Sequence, residues 1–412
     1  MRTAPKQIRW PVRGVETITA YHDATSDAAI AQGHAYPAPF ALNVRTLGPI
    51  EERMRGGSRP GLSPVPQGAF VRDFHPAVSV PAAERGDAPD TTLAAKYRDR
   101  VFAASGADWF CSRMGRHADW DYGADMGDTT RAVAGNLAFA GDRGETITAI
   151  MPVDDGTLYL ATEHTLWRLQ GDPASGQMHL VSREYGCVGP KAWCCANQRL
   201  LFVSHRGFTS LSYGEMPVLK SEALPGFPVD ADTILGFDAK TNCAWSFSRG
   251  GVFMVEIGMG TVTAPFWPMS FASLPSAVGS CDGRVALLMD GAWTRLDESV
   301  PCETLSFVGI GPFRISASDD SDGFLAEIHA TLAEGGADVS AHLFTARSAE
   351  RATKLAIAGE GGAEFEFAAG WNPVWRPRAR GAWAVLVLSC QSGRWAFEAA
   401  RAVCRQLGRL RP

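Results

Sequence analysis

Hydrophobic and polar residues alternate with a period of two in four stretches through the middle of the chain, each opened by the same kind of turn. They read Asp155-Gly-Thr-Leu-Tyr-Leu-Ala-Thr then Thr165-Leu-Trp-Arg-Leu, and Asn197-Gln-Arg-Leu-Leu-Phe-Val-Ser then Gly207-Phe-Thr-Ser-Leu. Two more follow: Asn242-Cys-Ala-Trp-Ser-Phe-Ser then Gly251-Val-Phe-Met-Val, and Asp282-Gly-Arg-Val-Ala-Leu-Leu-Met then Gly291-Ala-Trp-Thr-Arg-Leu. The turn residues 155, 197, 242 and 282 stand 42, 45 and 40 positions apart. Alternation of this kind marks half-buried strands. Its recurrence every 40 to 45 residues is the spacing of β-propeller blades. Leu158, Leu160, Phe202 and Trp245 fall on alternate positions of the first runs, and Trp167, Phe208, Phe253 and Trp293 are the aromatics that pack back from the next strand. One such hairpin cannot bury its face alone, so several neighbours are required.

The same unit predicts an earlier copy, with a strand at 97–104 joined to one at 108–112 across Ser105-Gly106-Ala107. At least five blades are therefore expected over 93–299. After about residue 300 the alternation persists without the blade turn, at 307–316, 323–332, 339–346, 363–368, 383–390 and 394–403. These runs predict an antiparallel, β-sandwich-like domain over 300–412, or blades that close on N-terminal strands. Residues 1–92 read as an extended segment that contributes closing strands. Within it, 15–20 suggests a strand, the Ala-rich 23–32 a short helix, 53–62 a basic loop and 72–92 a flexible connection. The fold class is all-β: a β-propeller with an additional antiparallel sandwich-like region.

Composition supports this picture. With 412 residues, 46% hydrophobic and 20% charged, the chain can bury a core, and 43 Gly, 25 Pro and 12 Trp suit a turn-rich β protein. The nine cysteines are scattered with no Cys-x-x-Cys, which argues against a zinc ribbon or a thioredoxin-like site. They read as buried small hydrophobes of a protein made in a reducing compartment. No apolar signal core occupies the first thirty residues, and the apolar run 382–388 is far too short to span a bilayer. A soluble protein without stable membrane insertion is expected.

Charge is unevenly placed. The net value is −5, yet residues 1–14 carry +4 and 371–412 carry +7, which leaves −16 for the middle. Basic ends on an acidic body suit an acidic partner surface or nucleic acid; solvated ends that resist self-association explain them equally well. Arg53, Arg55 and Arg59 on the Gly-rich stretch, and Arg376, Arg378 and Arg380 beside Trp371 and Trp375, form the candidate interface. Arginine next to tryptophan is the composition of protein–protein hot spots, with phosphate contact and base stacking as the alternative.

Catalytic signatures are sparse. There is no Gly-x-Ser-x-Gly, no His-Glu-x-x-His and no phosphate-binding Gly-rich loop. His164 and His205 fall in corresponding turns, which assigns them a turn role. Asp154-Asp155-Gly156-Thr157 shares part of the Asp-box turn of sialidases, but lacks its Ser and Trp and is not repeated. The stretch Ser318-Asp-Asp-Ser-Asp-Gly323 resembles part of a calcium loop, except that position 12 falls on His329. No catalytic residue, cofactor or metal ligand is expected.

Several strings together resemble one family. These are Tyr97-Arg-Asp-Arg-Val-Phe, Cys111-Ser-Arg-Met-Gly-Arg-His-Ala-Asp-Trp-Asp-Tyr-Gly123, Ile147-Thr-Ala-Ile-Met-Pro, Leu166-Trp-Arg-Leu-Gln-Gly-Asp-Pro173 and Ser182-Arg-Glu-Tyr-Gly-Cys-Val-Gly-Pro190. To them belong Arg55-Gly-Gly-Ser-Arg-Pro-Gly-Leu62, Trp375-Arg-Pro-Arg-Ala-Arg-Gly381 and Trp395-Ala-Phe-Glu398. In these the chain is similar to the propeller-containing tail nozzle or tail-hub proteins of short-tailed bacteriophages (tail accessory, tail tubular B-like). The resemblance covers 43–215 best, the ends less and 216–370 poorly. It implies a virion protein, assembled in the host cytoplasm, that forms a homo-oligomeric ring, usually a hexamer, below the portal and adaptor. Double-stranded DNA passes through the ring, and adaptor or connector proteins and tail fibres or spikes dock on it. An acidic lumen would ease DNA release by repelling phosphate. The alternatives are a propeller enzyme acting on host surface glycans and an intracellular propeller adaptor that binds proteins.

Overall fold

Each alternating stretch folds into its own antiparallel sheet. The computed structural model describes residues 5–17, 37–138, 144–258, 265–316 and 321–409; the proposed helix at 23–32, residues 18–20 of the expected strand and 318–320 of the calcium-loop-like stretch lie outside them. The first sheet comprises Leu93–Tyr97, Arg100–Ser105, Asp108–Cys111 and Val133–Asn136. The second runs from Ala149–Asp154 to Gln177–Ser182, the third from Trp193–Ala196 to Val218–Leu219, and the fourth from Ile234–Asp238 to Phe266–Met269. Leu158, Leu160, Phe202, Phe208 and Trp245 are buried, as their alternation requires, whereas Trp167, Phe253 and Trp293 are half-buried.

The single strand expected at 97–104 is in fact two. Arg98 and Asp99 both take positive φ, 50° and 55°, and the chain reverses there to pair Tyr97 with Arg100. The same two-residue turn occurs at Asn197-Gln198 and Asp282-Gly283. Its twist matches that of the flanking strands, so it is favoured in hairpins. Arg-Asp is not a residue pair that advertises this turn, which is why the sequence pattern runs straight through it.

The fifth sheet needs the N-terminal segment. Ala277–Cys281, Arg284–Met289 and Ala292–Asp297 supply three strands, Gly61–Pro64 pairs outside them and Arg72–Asp73 inside. Residues 72–92 are therefore not a free connection. Phe74 N–H donates to Val278 O (3.1 Å), His75 Nε2 bonds Leu235 O (3.1 Å), and the His75 ring meets Trp193 edge-on at 5.2 Å. The segment 73–78 then lines a cavity with Leu93–Lys96, Ile150, Pro152 and Trp193. It thus bonds the first strands of the fourth and fifth sheets, meets that of the third and shares a cavity with those of the first two. Gly236 on the fourth sheet faces Val278 on the fifth so closely that a Cβ there would sit 2.4 Å from the valine methyl.

Past residue 300 the chain builds two facing sheets. One has the order Lys6–Ile8, Phe397–Arg409, Ser321–Leu332, Ala379–Gly381. The other has the order Ala41–Leu42, Ser306–Arg314, Trp383–Cys390, Val339–Ala346, Ala363–Phe367. Ile328, Ala330, Leu343, Leu386, Ala402 and Cys404 fill the space between them. A helix not expected from the sequence, α1 (Ala349–Ala358), covers the outer face of the second sheet. Ser348 caps its start and Gly359, in the left-handed region at φ 69°, ends it. Ala349, Ala352 and Ala356 pack there on Phe344 and Val385.

The basic loop expected at 53–62 is instead a pair of strands. Met54–Ser58 pairs with Val44–Leu47, and Gly61–Pro64 closes the fifth sheet. Gly56 has φ +80° because the Trp10 ring lies on it; a Cβ would fall 1.9 Å from that ring. Glycine here marks a close approach of ring to backbone rather than a loop.

Asn43 joins these parts. It is fully buried at φ 54°. Its amide nitrogen donates to Ser270 Oγ (2.7 Å), Thr304 Oγ1 (3.0 Å) and Leu305 O (2.8 Å), and its Oδ1 accepts from Ser270 N (2.7 Å) and Arg59 Nε (3.1 Å). One side chain thereby holds the N-terminal strands, the end of the fourth sheet and the start of the sandwich. Nearby, Glu298 accepts from Arg45 and from Arg284 Nη1 (3.0 Å), and Arg284 Nη2 reaches Glu52 at 3.1 Å.

Two outcomes follow for stability. Asn43→Ala leaves the buried Arg59 short of an acceptor and puts Ala in the left-handed region that Asn tolerates better, and should cost about 4 kcal/mol in urea unfolding. Arg53→Ala, at an exposed position, should change stability by less than about 0.5 kcal/mol. The second concerns pH. Burial pushes His75 down to about 4 from its ordinary 6.5. At neutral pH the ring is uncharged in both folded and unfolded chains. Between pH 6.5 and 4 the unfolded chain gains a proton that the folded one refuses, so stability should fall by about 3 kcal/mol. In His75→Gln that part of the pH profile, measured by thermal unfolding, should flatten.

Candidate interaction groove

The outer face of the first sandwich sheet carries a groove of about 670 Å³. Strand pairing dictates what lines it. Gln7 lies opposite Arg401, and Arg401 lies opposite His329, so all three project to the same side. Arg9 follows on that side and donates to Gln7 Oε1 through Nε (3.3 Å) and Nη2 (3.1 Å). Alternate residues Ala400, Ala402 and Cys404 point into the core. Around the groove stand Met54, 72% exposed, and Trp371, 77% exposed, with Val12 beside them. Exposed apolar residues scattered singly need no explanation, but three gathered about one basic groove do.

The candidate interface residues separate into two groups. Arg53, Trp371, Arg376, Arg378 and Arg380 are exposed. Arg376 Nε approaches Glu327 at 3.7 Å, and His329 Nε2 approaches the same carboxylate at 3.4 Å. Arg59 and Trp375 are instead structural. Arg59 is buried against Asn43, with further bonds to Pro60 O (2.8 Å) and Ser270 O (2.9 Å) and its guanidinium 4.5 Å from the Phe271 ring centre. Burial lowers its pKa from the ordinary value. Trp375 is buried on Phe365 and Phe367, at 5.5 and 6.0 Å between ring centres. Arg55 lines the groove but is committed to Glu398 and to Ile50 O (2.9 Å). An arginine or tryptophan string reads alike in sequence whether it faces solvent or core; the distant partners decide.

Sequence reasoning missed Arg9, His329 and Arg401 as groove residues. The signal available was the paired period of the strands, since Arg401 and Arg405 alternate with Ala400, Ala402 and Cys404. It also missed Arg100, which is fully buried and donates to Ser112 O (2.9 Å), Arg131 O (2.7 Å) and both oxygens of Asp172 (3.2 and 3.1 Å). Arg100 pins the 112–131 insertion to the second sheet, a structural task.

The remaining chemistry-bearing residues are dispersed. Eight cysteines are buried and Cys195 is half-buried. Burial raises the thiol pKa of Cys111 and Cys187 to about 12 and of Cys195 to about 11, which disfavours the nucleophilic thiolate. His164 and His205 come together in adjacent turns with ring centres 4.8 Å apart, and His164 Nδ1 lies 3.1 Å from Glu145. Asp154 Oδ1 caps its own turn by accepting from Gly156 N (2.7 Å). Among the described residues no three His, Cys, Asp or Glu side chains are placed to hold a metal ion. No described helix is long and apolar enough to cross a membrane.

No family model matches the chain, and no curated protein matches it. Solved structures match at low similarity. PorZ, a surface component of the type-IX secretion system of Porphyromonas gingivalis, aligns over 60% of this chain and 31% of its own length at 10% identity and a TM-score of 0.30. The extracellular domain of the hybrid two-component system protein BT4673 from B. thetaiotaomicron aligns over 67% and 43%, at 10% identity and 0.25. A family 43 arabinoxylan arabinofuranohydrolase from Bacillus subtilis aligns over 74% and 76%, at 10% identity and 0.24. Likeness this distant carries no argument about function.

The split among the candidate residues is measurable. Trp371→Ala should leave the unfolding midpoint in urea almost unmoved, within about 0.5 kcal/mol. Trp375→Ala, which empties a stacked aromatic site, should cost about 4 kcal/mol.

Proposed function

We propose that this chain is a structural subunit of a short bacteriophage tail, a nozzle or hub protein that assembles into a ring for DNA ejection. In this reading the five sheets are propeller blades around a common axis, and the sandwich is the part that meets neighbours. The observation that carries it is the course of residues 73–78 among the five sheets. Residues 73–78 bond the first strands of the fourth and fifth sheets, meet Trp193 of the third and share a cavity with strands of the first two; in this reading the chain itself enters the axis of the disc. A conduit for DNA must then lie between subunits, and the disc serves as rigid scaffold. Glycan hydrolysis would need paired carboxylates in an open site, and the hub presents Phe74, His75 and Trp193 instead. The exposed Arg and Trp residues of the sandwich suit docking of the adaptor, of fibre proteins and of identical subunits.

Mass spectrometry and immunogold labelling of virions purified from the host are the test. The expected result is stoichiometric incorporation, with label at the tail. Absence from the particles, or release of reducing sugar from host surface polysaccharide by the purified protein, would overturn the proposal.

A further inference from the structure

The two outer faces of the sandwich carry opposite charge at matching spacing. On the first sheet, Arg9 and Arg401 stand over the groove. They are one strand and two residues apart, roughly 8 Å between backbones by strand geometry. Arg401 and Arg405 have no ion-pair partner among the described residues. On the second sheet, Ala363–Phe367 is the edge strand. Phe365 and Phe367 turn inward onto Trp375, which puts Glu364 and Glu366 on the outer face about 7 Å apart. Glu364 approaches His342 at 3.6 Å and is otherwise 76% exposed. Glu360, at the end of α1, is exposed beside them.

We infer that the acidic edge strand Ala363–Phe367 of one copy of this chain docks in the basic groove of the next, with Glu364 and Glu366 on Arg9 and Arg401 and the apolar rim of Trp371, Met54 and Val12 closing over the strand. The acidic face and the groove are different patches on opposite sides of one sandwich. Their contact is heterologous, and it repeats from copy to copy until it closes. This inference rests on the ring reading above but names its own surfaces, and it is testable on the isolated protein.

The experiment is sedimentation velocity on the full chain and two charge-reversed forms. One form carries Arg9→Glu and Arg401→Glu, the other Glu364→Lys and Glu366→Lys. All four positions are exposed, so circular dichroism and thermal unfolding should match the parent. The parent should self-associate, and each reversed form alone should be monomeric. An equimolar mixture should associate again, because the unaltered strand of the first form fits the unaltered groove of the second. Trp371→Ala should weaken association about tenfold, as loss of a hot-spot aromatic does. A monomeric parent, association unchanged in the reversed forms, or a mixture that stays monomeric would each overturn the inference. So would a gel shift in which the groove variant loses duplex binding while self-association persists. Because the readout is purified protein, a positive result stands even if the protein proves absent from virions, and a negative one leaves the virion test unaffected.

Discussion

Burial of Arg59 is possible only because Asn43 meets it with a fixed carbonyl, and that contact governs how the parts of the chain can be arranged. A guanidinium taken out of water costs several kcal/mol unless its hydrogens find acceptors. Here the acceptors come from three separate stretches of sequence: Asn43 itself, Pro60 in the N-terminal strands and Ser270 at the end of the fourth sheet. Asn43 in turn reaches Thr304 and Leu305 at the start of the sandwich. In this arrangement of the segments the node is satisfied, and displacing any one of them would leave a buried polar group unpaired. Around it the apolar contacts fall into place: Trp10 against Trp267, Trp395 and Phe397. Apolar packing supplies most of the drive, while the node supplies direction.

The charge pair Arg45 and Arg284 around Glu298 works alongside. Both arginines are nearly buried, and both need the single carboxylate. Glu52 takes the second arm of Arg284 and also approaches Lys240 at 3.6 Å. The turn at 51–52, strained by positive φ at both residues, is thereby tied to the fourth and fifth sheets. An arrangement of this kind ties the N-terminal hairpin to the five-sheet part of the chain rather than leaving it an arm.

Much of the β structure was legible because alternation is a local signal. Strands Val339–Ala346 and Trp383–Cys390 fall where the period of two places them, and the burial of Leu158 and Phe202 follows from the same pattern. What escaped was set by partners far along the chain. Phe74 and His75 look like linker residues until Val278, Leu235 and Trp193 are beside them. Arg59 and Trp375 look like contact residues until Asn43 and Phe365 are beside them. The helix Ala349–Ala358 had its own signals, Ser348 before it and Gly359 after it, but strand alternation on either side outweighed them. The groove was half legible: its tryptophan was singled out, while Arg9 and Arg401 became visible only once the strand register was known.

Pairing of Leu62 with Leu296 has a consequence for biosynthesis. The outer and inner strands of the fifth sheet leave the ribosome first, yet their partners are encoded more than two hundred positions later. At bacterial elongation rates of about 5 to 20 residues per second, the wait is about 10 to 50 s. During it, Gly61–Pro64 and Arg72–Asp73 are unpaired edges next to sheets that can already form. The density of proline and glycine there, unsuited to a strand at first sight, would keep the nascent segment from pairing with the wrong neighbour. The fifth sheet, the last of the five to emerge, then captures both segments in a late step.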